Sequence, residues 1–328
     1  MSATRARTLA SDLSRYLASR RIRDGEFIVP QSSNRFVGGI TGRTGTSWLM
    51  RLLGAVLDRR FAMIGEHGTF VLSQFRHAGY EYYQSPRGDR SRERYLRYFH
   101  DFVTGPGFDR HEVYALGLRG LSGIVPRRAV RLAFGALRGD LASAASLPEC
   151  NHAFGRFYSR VLNFHALQTV GTLDWISKEP PYGRHLNDLH ALVPDCRVVV
   201  LCRDGRDTAL SMYRRGWHPD LSQCIDRWRL FTEQTLASLE AVPAENWLLV
   251  RYEDLVHDPA SCVGRILDFF AIERPGNLLA RLSAEGFGEA PRAQNFGRWR
   301  EAFSATELEY FQRTCRDAMT HLGYDTAT

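Results

Sequence analysis

Short runs of β-branched and apolar residues recur along the chain at Arg35 to Gly39, Phe61 to Ile64, Leu173 to Lys178, Arg197 to Leu201 and Trp247 to Tyr252. Apolar character that continues through a run, rather than alternating, predicts strands covered on both faces. Helical patterns separate most of these runs: Ser47 to Leu57 after the first, Gly183 to Leu192 after the third, Asp207 to Gly216 and Leu221 to Ala241 after the fourth. Strands that alternate with helices predict a three-layer α/β fold, with a central parallel sheet flanked by helices. Residues from about 69 to 171 break this rhythm. They read as helical, Arg- and Tyr-rich segments punctuated by Gly105-Pro106-Gly107, Gly120 to Gly123 and Leu147-Pro148, and are expected to form a helical insertion over the sheet of a single domain spanning residues 1–328. Ser304 to Leu322 is an amphipathic helix that opens on an S-x-x-E capping box, Ser304 with Glu307, and closes at Gly323. Thr8 to Arg23 reads as a basic helix with Leu9, Leu13, Tyr16 and Leu17 on one side, expected to pack on the domain.

Composition narrows the function. With 328 residues, 44% hydrophobic and 12% aromatic, the chain can bury a large core. An excess of 43 Lys plus Arg over 36 Asp plus Glu leaves a net charge of +7, which favours anionic ligands. That charge is almost all Arg and is spread without basic blocks, which argues against nucleic acid. Six cysteines without a CxxC pair read as buried thiols of a cytoplasmic protein. No apolar run approaches the roughly 20 residues that a membrane-spanning helix requires. His185 and His190 lack metal-ligand spacing and no HExxH occurs, so no metal site is expected. Ser122 does not sit in a G-x-S-x-G elbow. Tyr80, Tyr82, Tyr83, Tyr95, Tyr98 and Phe99 serve either as core or as an acceptor pocket.

The most informative stretch runs from Phe36 to Leu49: an apolar strand, the loop Gly38-Gly39-Ile40-Thr41-Gly42-Arg43-Thr44-Gly45-Thr46-Ser47, then a helix. Such a loop lets bare backbone N–H groups approach an anion that the helix N-terminus also attracts. Thr44, Thr46 and Ser47 add donors and Arg43 adds charge. A Walker loop demands G-x-x-x-x-G-K-[ST]. Here Thr46 follows Gly45, and Ile40 stands where the earlier glycine belongs, so a metal-dependent triphosphate site fits poorly.

The run Gly42-Arg43-Thr44-Gly45-Thr46-Ser47-Trp48-Leu49 resembles the 5′-phosphosulfate loop of sulfotransferases that use 3′-phosphoadenosine 5′-phosphosulfate (PAPS). Val198 to Tyr213, containing Arg203-Asp204-Gly205-Arg206-Asp207 and Ser211, is similar to that family's strand-to-helix motif. The resemblance assigns Arg203 and Ser211 to the donor's 3′-phosphate. Val250-Arg251-Tyr252-Glu253-Asp254-Leu255 resembles the Y-E-D-L segment, whose tyrosine lies near the nucleotide. Arg292 to Arg300 resembles the R-K-G-x-x-G-x-W-[KR] region, with Ala293-Gln294 in place of Lys-Gly. Either Arg292 or Arg298 is then the 3′-phosphate arginine. Together these stretches cover roughly residues 35–67, 173–260 and 290–324, and imply a P-loop-like fold.

The implied activity is transfer of a sulfuryl group from PAPS to a hydroxyl, or an amine, of a small metabolite or carbohydrate, with no metal required. Such a reaction needs in-line positioning, a base and cations. Glu66, just past the second strand, stands where the catalytic glutamate of several relatives does, and His67 is the alternative base. Lys178 resembles the lysine that family members place near the transferring group, where it and Arg43 would neutralise the leaving oxygen. Two other readings stay open. A P-loop kinase would require magnesium and ATP; a non-catalytic binder of adenosine 3′,5′-bisphosphate would keep Arg203 and Ser211 without Glu66 or Lys178.

Overall fold

A computed structural model of the chain describes residues 34–65, 70–85, 90–104, 127–284 and 296–326. The expected N-terminal helix, the two candidate bases Glu66 and His67, and Arg292 lie outside the described residues.

Strands β1 (Arg35–Gly39), β2 (Ala62–Ile64), β3 (Trp175–Lys178), β4 (Arg197–Cys202) and β5 (Trp247–Arg251) form one sheet in the order β2-β3-β1-β4-β5. β1 pairs in parallel with β3 through Phe36 with Ser177 and Val37 with Lys178, and with β4 from Arg35 with Arg197 to Gly39 with Leu201. β4 pairs in parallel with β5 from Val198 with Trp247 to Cys202 with Arg251. Every residue of β1 and all but the first of β4 are buried, as continuous apolar runs require when helices cover both faces. Sheet order reverses at β1: the chain goes outward to β2, returns through β3, and crosses to β4 on the other side. Loops diverging at such a reversal leave a crevice beyond the strand C-termini, where open α/β sheets bind ligands.

The chain divides into two compact units, one drawing its described residues from Arg59–Ile176 and Ala191–Pro194, the other from Arg35–Asp58, Ser177–His190 and Asp195–Thr328. In the second unit, β1 feeds α1 (Thr46–Leu57) and β4 feeds α7 (Gly205–Tyr213), followed by α8 (Leu221–Glu240). Between them come a short α6 (Leu186–Leu192) and, after β5, α9 (Tyr252–His257), α10 (Pro259–Phe269), α11 (Leu278–Ala284), α12 (Trp299–Ala302) and α13 (Ala305–His321). One core cluster ties Ile40 and Cys202 to Met212 of α7, Trp228 of α8 and Phe311, Cys315 and Met319 of α13. Each such side chain contributes about 1.5–3 kcal/mol on full burial. The capping box at Ser304 forms in both directions with Glu307, so α13 begins where the pattern places it.

In the first unit, α2 (Phe70–Gln84), α3 (Arg90–Thr104), α4 (Arg127–Ser143) and α5 (Leu147–Val170) are helices. Phe75 joins α2 to α3 and α5 through edge-on contacts with Phe99, Phe157 and Tyr158 at centroid separations of 5.4, 5.7 and 5.7 Å. Of the aromatic set in this region, Tyr82 and Phe99 are buried, whereas Tyr80, Tyr83 and Tyr98 are exposed. Leu147-Pro148, read from sequence as a break, instead opens the longest helix among the described residues. Proline is tolerated in a first turn, and the Ser146–Glu149 capping box satisfies the N–H groups beside it. All six cysteines are buried thiols.

Candidate functional site

Within the second unit a cavity of about 460 Å³ opens beyond the C-terminal ends of β1 and β4. Its floor is the loop that follows β1, contributing Arg43, Gly45, Thr46, Ser47 and Trp48. Arg43 and Gly45 both take positive φ, 74° and 96°, around Thr44. Alternation of this kind turns successive peptide N–H groups toward a common concave side. Gly45 is required where it stands: a Cβ there would lie 2.5 Å from Cδ2 of Tyr252. It also forms the N-cap of α1, whose first turn carries neither a side-chain cap nor an acidic residue. The positive end of the helix dipole is thus left facing the cavity.

The opposite wall comes from the end of β4 and one face of α7. Arg203, Asp207, Leu210, Ser211, Arg214 and Arg215 line it at spacings of four, three, one, three and one residues, which keeps them on one helical side. The Arg203 guanidinium donates to the Arg43 carbonyl at 3.2 Å and lies 4.9 Å from the centre of the Tyr252 ring. Tyr252 in turn meets Trp48 edge-on at 5.6 Å. Arg43 Nε donates to Ser211 Oγ at 3.2 Å, so the two walls touch. Burial, then the nearby guanidiniums of Arg215 and Arg203, hold the pKa of Arg43 below its ordinary value. The part of this effect that comes from the two guanidiniums reflects crowded positive charge, which a bound anion would offset.

A third segment arrives from residues 296–299. The Asp207 carboxylate, 2% exposed, accepts the backbone N–H of Gly297 at 2.6 Å and that of Trp299 at 3.3 Å. Those bonds hold the turn that carries Arg298 into the cavity lining. Burial pushes the Asp207 pKa up, opposed by the Gly297 N–H and by Arg203. Behind it the Arg206 guanidinium, paired with Asp204 at 2.8 Å, stacks 3.9 Å over Trp299. The lining thus holds five arginines against a single carboxylate already engaged by two N–H groups.

Lys178, at the end of β3 and 6% exposed, donates from Nζ to Ser47 Oγ at 3.3 Å. This puts an ammonium group against the start of α1, beside the loop that follows β1. Two further loop residues of the expected set make contacts within the protein. Thr44 is fully buried and its hydroxyl donates to the Thr41 carbonyl at 3.0 Å, and Gly42 lies under the Trp217 indole. Of the remaining expected positions, Arg43, Gly45, Thr46, Ser47, Trp48, Arg203, Ser211, Tyr252 and Arg298 converge on the cavity. Asp207, Leu210, Arg214 and Arg215 were missed. Their spacing from Arg203 and Ser211 on one helix face was the available signal. Among the described residues no cluster of three or more His, Cys, Asp or Glu is arranged to hold a metal ion, and no helix is long and apolar enough to cross a membrane.

A family model described as the sulfotransferase family matches residues 36–276. Human heparan sulfate glucosamine 3-O-sulfotransferase 6 is 29% identical over 168 residues, which cover 44% of this chain and 48% of that protein. Protein-tyrosine sulfotransferase A of Caenorhabditis elegans is 30% identical over 102 residues, 29% of this chain and 27% of that protein. The chain thus spans about half the length, or less, of these curated relatives. Among solved structures, sulfotransferase STF9 from Mycobacterium avium superposes with a TM-score of 0.49 at 15% identity, over 96% of this chain and 85% of that one.

Proposed function

The chain belongs to the sulfotransferase family, and from that premise we propose that it transfers a sulfuryl group from PAPS to a hydroxyl of a small metabolite or carbohydrate. The observation that carries this reading is the five-arginine cavity built on the β1 loop and the α7 face. A donor with a phosphosulfate at one end and a 3′-phosphate at the other matches its two cationic walls. The loop N–H groups, Ser47 and the start of α1 suit the phosphosulfate. Arg203, Ser211 and Arg298 suit the 3′-phosphate, where a guanidinium fork can bind two oxygens at once. Trp48 and Tyr252 offer apolar surface between them for the purine. A magnesium triphosphate is disfavoured because Thr46 occupies the Walker lysine position.

In this reading the acceptor oxygen attacks sulfur in line while the bond from sulfur to the bridging phosphate oxygen breaks. Adenosine 3′,5′-bisphosphate departs with the electron pair. Glu66, or His67 beside it, takes the acceptor proton, an effect worth about 10²- to 10⁴-fold in rate. Lys178 and Arg43 stabilise the charge that grows on the leaving oxygen. Replacing Lys178 by Met should lower kcat about 10²- to 10³-fold, with a smaller effect on donor binding.

Calorimetric titration of adenosine 3′,5′-bisphosphate without metal tests the donor assignment. Wild type should bind at micromolar concentration, and Arg203→Ala should weaken binding about 10- to 100-fold, as expected for a lost charged hydrogen bond. Absence of binding, or tighter binding of magnesium ATP, would overturn the reading. With the donor established, an acceptor screen using Glu66→Gln and His67→Asn assigns the base, because only the true base should abolish turnover while sparing donor affinity.

A further inference from the structure

We propose that Tyr324 is a positioning residue for Arg203, acting through the carboxylate of Glu253, so that the segment after α13 sets how tightly the site grips a 3′-phosphate. The inference rests on the donor reading above and deepens it.

Tyr324 is placed by the way α13 ends. Gly323 takes φ 72°, its N–H donates to the Thr320 carbonyl at 3.0 Å, and the Tyr324 N–H donates to the Met319 carbonyl at 3.0 Å. This pair of bonds is a Schellman closure, and it turns the tyrosine back into the core, where it is 7% exposed. Its hydroxyl stands 2.7 Å from Glu253 Oε2 and 3.8 Å from Cys202 Sγ. The one proton goes to the carboxylate, the shorter and charge-assisted partner. The other carboxylate oxygen, Oε1, accepts the Asp204 N–H at 3.0 Å.

That N–H belongs to the peptide unit joining Arg203 to Asp204. Because a peptide unit is planar, holding it locates the Arg203 Cα, the point from which that side chain leaves the backbone. Glu253 is also the neighbour of Tyr252, the ring over which the Arg203 guanidinium lies. One carboxylate therefore locates both the arginine and its aromatic support.

Two more contacts grip the same segment. Arg251 stacks 4.4 Å over the Tyr324 ring and donates to the Gly323 carbonyl at 3.2 Å. Arg206, ion-paired to Asp204, donates to the Asp325 carbonyl at 3.2 Å. Residues 323–325 are thus held to the end of β5 through Arg251 and to the β4–α7 turn through Arg206. Burial raises the pKa of Glu253, whereas the Asp204 N–H and the Tyr324 hydroxyl lower it. Without the hydroxyl the carboxyl loses part of what keeps it ionised, and a neutral carboxyl accepts the Asp204 N–H less strongly.

Tyr324→Phe removes the hydroxyl and keeps the ring under Arg251. Calorimetry of this variant, of Glu253→Gln and of the double variant would use two probes, adenosine 3′,5′-bisphosphate and 5′-AMP, which lacks the 3′-phosphate. Tyr324→Phe should weaken the bisphosphate about tenfold, in line with one lost charged hydrogen bond, and leave 5′-AMP within twofold of wild type. The double variant should be no weaker than Glu253→Gln alone, because the two residues act in series. An unchanged ratio of the two affinities, equal weakening of both ligands, or additive effects would each overturn the proposal. If either single variant folds poorly, the other reads the same ratio. A wild type that does not prefer the bisphosphate over 5′-AMP would instead overturn the donor reading itself, a failure visible without any substitution.

Discussion

Arg43 Nε donates to Ser211 Oγ at 3.2 Å across 168 positions of sequence, joining the loop after β1 to the face of α7. The contact brings two locally legible motifs into one site. Ser211→Ala removes the anchor of the Arg43 side chain and, on the proposed reading, a donor to the 3′-phosphate as well. Affinity for adenosine 3′,5′-bisphosphate should fall about 10- to 100-fold, the size of one hydrogen bond to a charged group. Thermal stability should change little, since Ser211 is only half-buried. Calorimetry and a melting curve on the same variant check both statements.

Asp207 lines the cavity, but its carboxylate is taken up by two N–H groups, so its main effect on ligands is expected through the turn it holds. Asp207→Ala strands the Gly297 and Trp299 N–H groups, costing about 1–3 kcal/mol of stability. It should also loosen Arg298. Binding of the bisphosphate should then weaken in Asp207→Ala by about as much as in Arg298→Ala, with no further loss in the double variant. Equal, non-additive losses measured by titration would establish the relay, and additive losses would dismiss it.

Gly45→Ala introduces a Cβ at φ 96°, 2.5 Å from a Tyr252 ring carbon. Left-handed backbone costs about 1–2 kcal/mol for a residue with a Cβ. The ring must move as well, disturbing its edge-on contact with Trp48 and its support of Arg203. Bisphosphate affinity should drop more than tenfold although no ligand-contacting side chain has been removed, and titration of the folded variant tests this.

Glu253 also predicts a pH dependence. Its folded-state pKa lies above the ordinary 4.5, chiefly through burial. The folded protein therefore binds this proton more tightly than the unfolded chain does. The associated stabilisation is complete below pH 4.5 and is lost as pH rises through the raised value. Glu253→Gln cannot titrate, so the stability of wild type relative to this variant should decline as pH increases above 4.5. Urea titrations of both proteins across that range provide the measurement; a constant difference would show that the carboxyl is not shifted.

Much of the architecture was written in short-range pattern. Buried strands are continuous apolar runs, Ser304 and Glu307 mark a helix start, and the Gly- and Thr-rich stretch after β1 reads as a phosphate loop because its chemistry is contained in consecutive residues. The paired Ser146 and Glu149 are equally legible, and Pro148, which reads as a breaker, is neutral in the first turn where it stands. Bounds shifted for a similar reason. Pro180–Tyr182 forms a tight turn before α6, and α7 starts at Gly205 because the Asp204 side chain caps it by accepting the Arg206 N–H.

By itself, then, the amino-acid order determined the strand and helix sequence and the Gly- and Thr-rich loop that follows β1, since each depends on residues a few positions apart. Only the tertiary structure decided that Asp207 spends its carboxylate on residues 297 and 299, that Thr44 turns inward to Thr41, that Arg214 and Arg215 join the cavity, and that Tyr324 reaches Glu253. These assignments depend on which groups meet once the sheet and helices pack. Burial makes a partner necessary for most polar groups, as for Asp207 and Tyr324, but chain distance leaves that partner unspecified.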